Sequence, residues 1–231
     1  MDTSLALDQA VIECEPQGSL ARASGEAEEV LFVIEGSGAL LAGSERHALE
    51  PETGAYLPPG SEYGLENDGS QPLRLVSVRV GAPAAAGDGA PAGIVVRRLA
   101  DQEDQAATTE RLFRIVADPS TGLRSATQFV GYIPAARAAD HFHTYDEVIF
   151  VLEGTGTFSA GDGIRPIGPG SQIELPARTV HCLENTGQGV MRLVAVFRPA
   201  GSPAYAYLPD GSPAYPGTPP LPVMNDNPHH P

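Results

Sequence analysis

The stretch HFHTYDEVIFVLEG at residues 141–154 decides the fold, because a matching stretch occurs earlier in the same chain. Residues 23–36 read ASGEAEEVLFVIEG, and the two stretches align without a gap at an offset of 118 residues. The same offset relates LPPGSEYGLENDG (57–69) to LPARTVHCLENTG (175–187), with small compensating gaps expected in the loops between these blocks. Matches of this extent indicate a duplicated domain.

Each copy has the pattern of a β domain. VLFVIEG (30–36) and VIFVLEG (148–154) are short, β-branched and aromatic runs that end at glycine, and they are apolar at nearly every position. Such runs are typical of strands covered on both faces. The 231 residues include 26 glycines and 22 prolines, and no stretch of ten or more has helical periodicity. We therefore predict an all-β protein with a barrel or sandwich in each copy.

Changes in composition predict four segments. The first copy spans 1–80, a flexible Gly/Ala/Pro linker spans 81–93, and the second copy spans 94–198. Ten of the last 33 residues (199–231) are proline, a density that excludes a helix or a central strand. Two interpretations of this last segment stay open: a disordered tail, or an extended arm packed across a neighbouring surface.

Charge and residue usage exclude several classes of function. The 14 basic residues are all arginine, which excludes Schiff-base and phosphate-binding chemistry that needs lysine. The net charge of −15 argues against nucleic-acid and anionic-membrane partners. No apolar run reaches membrane-spanning length, and Cys14 and Cys182 cannot build a disulfide framework. We expect a soluble cytoplasmic protein that acts on a small molecule.

Three histidines and one glutamate in the second copy form a candidate metal site. His141 and His143 share one face of a strand because side chains alternate along it, and Glu147 follows four residues later. His181 lies in TVHCLEN. Singly, each residue also fits an ordinary surface or core position. Together they offer three imidazoles and a carboxylate, which suit Fe, Mn, Co, Ni, Cu or Zn without selecting among them.

The second copy resembles a cupin. The first cupin motif, G-x5-H-x-H-x3-E-x6-G, is matched from His141 to Gly154, with Ala135 in place of its leading glycine. The second motif, G-x5-P-x-G-x2-H-x3-N, is matched from Gly170 to Asn185, with Arg178 in place of its middle glycine. The resemblance implies a barrel that binds one divalent transition metal per chain through His141, His143, Glu147 and His181.

The first copy aligns with the second but lacks its three candidate metal-binding histidines. Ala23, Gly25 and Tyr63 occupy the positions of the three histidines, and Glu29 alone remains. The chain therefore resembles a bicupin of two tandem jelly-roll barrels, with the first degenerate and expected to be metal-free. We expect this first barrel to supply a buried interface. Further pairing into a homodimer, through outer strands or the proline-rich segment, stays open.

The resemblance leaves the reaction open, since cupin-like proteins include dioxygenases, decarboxylases, isomerases, lyases and binding proteins. We predict dioxygenase-type oxidation of a small oxygenated substrate, with Glu147 at the reacting centre. The alternatives are a redox-neutral isomerase or decarboxylase and a non-catalytic binding protein.

Three residues before the first motif are candidates for binding substrate. Gln128 and Tyr132 share one strand face, so we predict that they orient the substrate inside the barrel together with Arg124. Tyr132 is also the candidate acid or base for catalysis. A surface or core position is the alternative interpretation for all three.

Overall fold

The computed structural model describes residues 6–81, 93–107 and 110–221. The predicted linker at 81–93 lies almost wholly outside the described residues, as do positions 222–231 of the proline-rich segment. Apart from two 3-10 turns, Leu99–Asp101 and Pro119–Thr121, the regular elements of the described residues are all strands. Within these ranges, no helix is long and apolar enough to cross a membrane.

The first repeat forms two antiparallel sheets. Its strands are β1 (Leu7–Cys14), β2 (Ser19–Ala23), β3 (Glu28–Glu35), β4 (Gly38–Ala42), β5 (Glu45–Leu49), β6 (Thr53–Leu57), β7 (Glu62–Glu66) and β8 (Leu73–Val80). One sheet has the order β1-β8-β3-β6, and the other has the order β2-β7-β4-β5. Their facing sides share one apolar core, as expected for a jelly-roll barrel.

The second repeat has the same plan with additional strands at its start. The strands that follow the linker are β9 (Val95–Arg98), which joins the first repeat's sheet, and then β10 (Gln105–Ala106), β11 (Leu112–Ala117), β12 (Thr127–Ile133), β13 (Asp146–Glu153), β14 (Gly156–Ala160), β15 (Gly163–Ile167), β16 (Gln172–Leu175), β17 (His181–Asn185) and β18 (Met191–Arg198). The sheet orders are β10-β11-β12-β18-β13-β16 and β15-β14-β17. The predicted all-β fold of two tandem jelly-roll barrels is therefore confirmed.

Most strands of the first repeat have a counterpart in the second, but β2 does not: the matching positions 137–141 form only isolated bridges at Arg137 and His141. The last strands, β8 and β18, begin at Leu73 and Met191 and so keep the 118-residue offset of the first motif. Hairpins β4–β5 and β14–β15 keep it too. The small gaps expected between the matching blocks are absent from these strands, because the loops that connect them have equal lengths in both repeats.

Alternation along the central strands separates three apolar cores. In β3, Leu31 and Val33 point into the first barrel, whereas Val30 and Phe32 point into a cluster between the repeats. This shared cluster also contains second-repeat side chains, among them Val148, Phe150, Val194 and Val196. The prediction of a strand covered on both faces is confirmed, and the second cover is the other repeat.

The segment after the linker belongs structurally to the first repeat. Strand β9 pairs antiparallel with β6, so that Val95 lies opposite Tyr56 and Arg98 lies opposite Thr53. The structure therefore differs here from the domain boundary predicted at residue 94. The free edge of β6 offers unpaired backbone groups, and β9 satisfies them.

Residues 199–221, here called the C-terminal arm, pack against the second barrel. Phe142 and Tyr207 exchange two backbone hydrogen bonds of 2.9 Å, and their rings stack with centroids 5.6 Å apart. The Tyr207 hydroxyl donates to the carbonyl of Pro219 at 2.9 Å. Over the described part of the proline-rich segment, the structure thus has a packed arm rather than a disordered tail.

Candidate metal centre

Backbone pairing brings His141 and His181 side by side at one end of the second barrel. The N–H of His141 donates to the His181 carbonyl at 3.0 Å, and the reverse bond measures 2.8 Å. The two ring centroids are 4.5 Å apart, and the His143 ring lies 5.1 and 5.2 Å from them. The candidate ligand atoms of the three imidazoles all lie within 4.8 Å of one another.

Backbone carbonyls fix which nitrogen each imidazole offers. His141 and His181 each donate from Nδ1 to the carbonyl two residues earlier, at 2.8 and 2.9 Å. His143 donates from Nδ1 to the carbonyl of Tyr205 in the C-terminal arm at 2.7 Å. Because a carbonyl only accepts, Nδ1 carries the proton in all three rings. Every Nε2 keeps its lone pair, which is the arrangement that orients histidine ligands toward a metal.

Burial also keeps these histidines in the state that a metal requires. It lowers the pKa of His141, and together with the neighbouring His141 it lowers the pKa of His181 to about 4. The pKa of His143 falls well below its usual value through burial and its two histidine neighbours. The rings are therefore neutral at pH 7, and metal binding displaces no proton from them.

Glu147 lies at the start of β13 and lines the same cavity, although it is not part of the 4.8 Å histidine cluster. It is buried, and burial raises the pKa of its carboxyl to about 8. Among the described residues, no hydrogen bond or ion pair is made to this carboxylate. A buried carboxylate without a counter-charge is costly, and a bound cation would compensate it. The four predicted ligands thus fit a transition metal in residue type, tautomer and charge.

The cavity around these side chains is small and largely apolar. Its volume is about 90 Å³, and its apolar lining includes Phe129, Ile133, Ile149, Leu183 and Leu193. A single water needs ~10–15 Å³ by this measure, so the space suits a metal ion and a ligand of a few non-hydrogen atoms.

Besides Tyr132, the further polar side chains that line the cavity are Tyr145, Arg111 and Tyr215, and the last two lie outside the repeated blocks. Sequence reasoning missed both, because neither belongs to a repeated block. The nearest sequence signal is the presence of three tyrosines, Tyr205, Tyr207 and Tyr215, within the proline-rich segment.

The first barrel holds its remaining glutamate in a different way. The buried Glu29 carboxylate accepts from the Ser77 hydroxyl at 2.6 Å and from the Arg22 guanidinium at 3.4 Å. Arg22 also donates to the Tyr63 hydroxyl at 2.8 Å. Burial, reinforced by Glu29, raises the pKa of Tyr63 to about 12. At the position of the second barrel's metal site, the first barrel thus has an arginine bound to its glutamate and tyrosine.

The structure places Gln128 and Arg124 between the repeats rather than in the barrel. Gln128 is fully buried against Gly54 of the first repeat and does not line the cavity. The backbone N–H of Arg124 donates to the Glu28 carboxylate of the first repeat at 2.8 Å. This corrects the sequence interpretation, because the even-numbered face of β12 packs on the first repeat and its odd-numbered face carries Phe129 and Ile133 into the barrel.

Tyr132 is also on the even-numbered face of β12, but it borders the cavity. Two guanidinium groups lie over its ring, with the Arg114 and Arg192 carbons 5.6 and 5.5 Å from the ring centroid. These distances are typical of cation–π interactions. The two interactions hold the ring near the interface between the repeats. The structure thus brings together the three histidines and Glu147 around the cavity, with Tyr132 at its border.

The arginine that replaces a motif glycine keeps the glycine conformation. Arg178 has φ of 64°, in the left-handed region, and Gly60 at the equivalent position of the first repeat has φ of 80°. The Arg178 N–H donates to the carbonyl of His143 at 2.7 Å. The departure from the motif therefore leaves the turn before His181 intact.

Sequence and structure comparisons agree on one family. The model of the Cupin domain matches residues 10–79 and 128–197. No curated protein sequence matches this chain. A glyoxylate-induced protein from Pseudomonas aeruginosa has a similar structure, with 22% identity and a TM-score of 0.72 over 82% of this chain and 73% of that one.

Two enzymes are among the other similar structures. A salicylate 1,2-dioxygenase from Pseudaminobacter salicylatoxidans has 14% identity and a TM-score of 0.66, covering 83% of this chain and 70% of its own. An oxalate decarboxylase has 13% identity and a TM-score of 0.65, covering 83% and 68%. At such identities the likeness shows a shared fold and leaves the reaction open.

Proposed function

Because this chain belongs to the cupin family, with one cupin domain in each repeat, we propose that it is a metal-dependent enzyme with its reaction centre in the second barrel. His141, His143, His181 and Glu147 bind one divalent transition metal. The observation that carries the proposal is the histidine cluster, in which every Nδ1 is bonded to a carbonyl and every Nε2 is free.

The residues of the chain have distinct tasks in this proposal. The imidazoles hold the ion, and the bound ion supplies a Lewis acid or redox centre with open positions for substrate. Glu147 enters as the one negative ligand, losing its proton when the ion binds. The apolar lining excludes water from the reacting atoms and leaves room for a small molecule only.

Oxidation of the dioxygenase kind is the favoured reaction. Redox-neutral isomerisation or decarboxylation needs a general acid or base with a pKa near the working pH. Besides the proposed ligands, the titratable side chains that border the cavity in the described residues are Arg111, Tyr132, Tyr145 and Tyr215. None is a carboxylate or an imidazole, and burial raises the pKa of Tyr145 well above 10. This lining supports chemistry in which the metal carries the reaction.

Elemental analysis of the purified protein tests the metal centre. We expect about one Fe, Mn, Co, Ni, Cu or Zn per chain, and loss of that metal in the double variant His141→Ala, His181→Ala. His47→Ala is the matched control, because His47 lies on β5 of the first repeat beside Glu45. A wild-type protein that stays metal-free after reconstitution would remove both enzyme hypotheses and favour a non-catalytic binding protein.

Oxygen consumption separates the remaining reactions. The metal-loaded protein is mixed with catechols, enols and keto acids while dissolved oxygen and substrate are followed together. Uptake of oxygen that matches substrate loss is the expected result. Substrate loss without oxygen uptake would identify the redox-neutral alternative, in which Tyr132 is the candidate acid or base. Tight binding without turnover would identify a binding protein.

A further inference from the structure

Arg111 and Tyr215 border the metal cavity but take no part in the proposed metal centre. Arg111 directly precedes β11, and Tyr215 belongs to the C-terminal arm. The two side chains come from opposite ends of the second half of the chain and meet only because the arm packs on the barrel.

Arg111 carries a positive charge without a counter-ion. One of its Nη atoms donates to the backbone carbonyl of Leu183 at 2.7 Å. None of the carboxylates in the described residues lies within ion-pair distance of its guanidinium. Burial lowers the pKa of Arg111, and its charge in turn contributes to the lowered pKa values of all three histidines. The guanidinium is therefore close enough to the three imidazoles to influence them electrostatically, and it borders the same cavity.

Tyr215 has an unused polar atom at this cavity. Its hydroxyl is buried and has no hydrogen-bond partner among the described residues. Its ring centroid lies 6.4 Å from that of His141. A buried hydroxyl without a partner is unfavourable, so its presence beside an apolar cavity indicates a group that a ligand satisfies.

We propose that Arg111 and Tyr215 form a carboxylate-binding subsite beside the metal centre, so that the substrate is a small carboxylic acid. This inference rests on the proposed function and adds the substrate class to it. A carboxylate only accepts hydrogen bonds and carries the charge that Arg111 lacks, and a guanidinium matches its planar geometry. The cavity volume of about 90 Å³ limits such an acid to a few non-hydrogen atoms beyond the metal.

The subsite also explains why the arm reaches the cavity. With its carboxylate on Arg111 and Tyr215, a substrate would present a second oxygen toward the imidazole Nε2 atoms. Two points of attachment fix its orientation, which one metal contact alone does not. Tyr215 is thus a substrate-binding residue supplied by the arm.

Calorimetry on the full-length, Co²⁺-loaded protein tests the subsite with pyruvate and its neutral amide, pyruvamide. We expect pyruvate to bind at least about tenfold more tightly than pyruvamide, because a hydrogen bond to a charged group contributes that much. Arg111→Gln should weaken pyruvate binding by about 10- to 100-fold and Tyr215→Phe by a few-fold, with little effect on pyruvamide.

Two matched variants control for changes in charge and in the arm. Arg137→Gln removes an exposed arginine that pairs with Asp140 on the outside of the same barrel. Ser212→Ala removes a hydroxyl of the arm that donates to Asp210 at 2.6 Å and does not line the cavity. Both should bind pyruvate within about twofold of the wild type, since neither hydroxyl nor guanidinium is part of the proposed subsite.

Metal content, measured on every sample, separates the two proposals. If the wild type takes up no cobalt, the metal centre and the subsite both fail. If cobalt binds but pyruvate binds no better than pyruvamide, the subsite fails and the metal centre stands. The wild type alone can thus overturn the subsite. Because cobalt itself also prefers a carboxylate to an amide, support for the subsite requires weaker pyruvate binding by Arg111→Gln or Tyr215→Phe, and unchanged binding by both folded variants overturns it.

Discussion

The two barrels hold a glutamate at the same strand position, but they balance its charge in opposite ways. In the first barrel, Glu29 is paired with Arg22 and hydrogen-bonded by Ser77. In the second, Glu147 lacks a cationic partner among the described residues, and burial raises its pKa to about 8. Arg22, together with Arg79 at 3.8 Å, supplies a counter-charge to Glu29 within the first barrel, although Glu29 Oε2 has no hydrogen-bond partner among the described residues. In the proposed function, a bound ion supplies the counter-charge of Glu147.

The first barrel thus differs from the second in two ways: it lacks the three histidines, and it has an arginine paired with its glutamate. Ala23, Gly25 and Tyr63 remove the imidazoles, and Arg22 then fills the electrostatic role that a metal would have had. Restoring three histidines to the first barrel would therefore leave a guanidinium at the carboxylate. A metal would have to displace it.

The largest expected effect comes from separating the barrels. Deleting residues 1–93 should give insoluble protein, because it exposes the apolar cluster between the repeats and leaves β9 without its partner β6. Sedimentation and size-exclusion chromatography of the fragment 94–231 measure this. Co-expression with residues 1–93 should restore solubility. A soluble, monomeric, metal-binding fragment would show that the second barrel is independent of the first.

The next effect compares the two glutamates directly. Glu29→Gln should destabilise the protein by about 3 kcal/mol, near the low end for breaking a buried ion pair, because Arg22 keeps partial access to water. Glu147→Gln should not destabilise the metal-free protein, and at pH 7 it should stabilise it by on the order of a few kcal/mol, because the amide is neutral in this buried position at any pH. Urea unfolding in the presence of a chelator measures both. Equal losses in the two variants would contradict the proposed difference in charge compensation.

The Glu147 effect should also depend on pH with a definite sign. Its pKa is about 8 in the folded chain against 4.5 for an ordinary glutamate, so the folded state binds the extra proton between these values. The free energy of unfolding of the wild type, relative to that of Glu147→Gln, is therefore highest below about pH 4.5. It falls as the pH rises to about 8, by on the order of a few kcal/mol. Urea titrations at pH 5, 7 and 9 measure the difference. A difference that grows with pH would show that Glu147 has a cationic partner.

The smallest expected effect concerns the turn that precedes His181. Arg178→Gly should stabilise the protein by up to about 1 kcal/mol, because glycine adopts the left-handed conformation with less strain. Gly60→Arg at the equivalent turn should destabilise it by a similar amount. Thermal unfolding of both variants is the measurement. Opposite signs would confirm that the two turns are interchangeable, and matching signs would show that local contacts of the arginine dominate.

Sequence reasoning reached the fold and the histidine cluster because both are encoded in spacing. The 118-residue offset identifies the repeat, and the H-x-H spacing identifies the two histidines that the structure brings together with His181. The predicted strand through His141 and His143 is absent, because His141 pairs with His181 only through an isolated bridge. Sequence spacing can be interpreted without a structure, because the alternation of side chains along a strand is a local property of the backbone.

Sequence reasoning failed to predict which residues line the cavity where this depends on which part of the molecule packs against a strand face. Alternation groups Gln128 with Tyr132 correctly but does not say whether that face meets the barrel or the other repeat. Arg111 and Tyr215 were missed for a related reason: their importance arises from the packing of the arm, which joins residues 104 positions apart. Long-range packing of this kind leaves no periodic signal in a single sequence.

The hydrogen bond from His143 to the Tyr205 carbonyl would couple the arm to the proposed metal centre. An arm that is docked orients the Nε2 of His143, and an arm that is released leaves that imidazole free to rotate. By thermodynamic reciprocity, whatever factor docking adds to metal affinity, the metal adds to docking. A bound metal would therefore favour the docked arm and slow its cleavage by a protease. The rate of cleavage of the arm would then indicate whether the metal site is occupied.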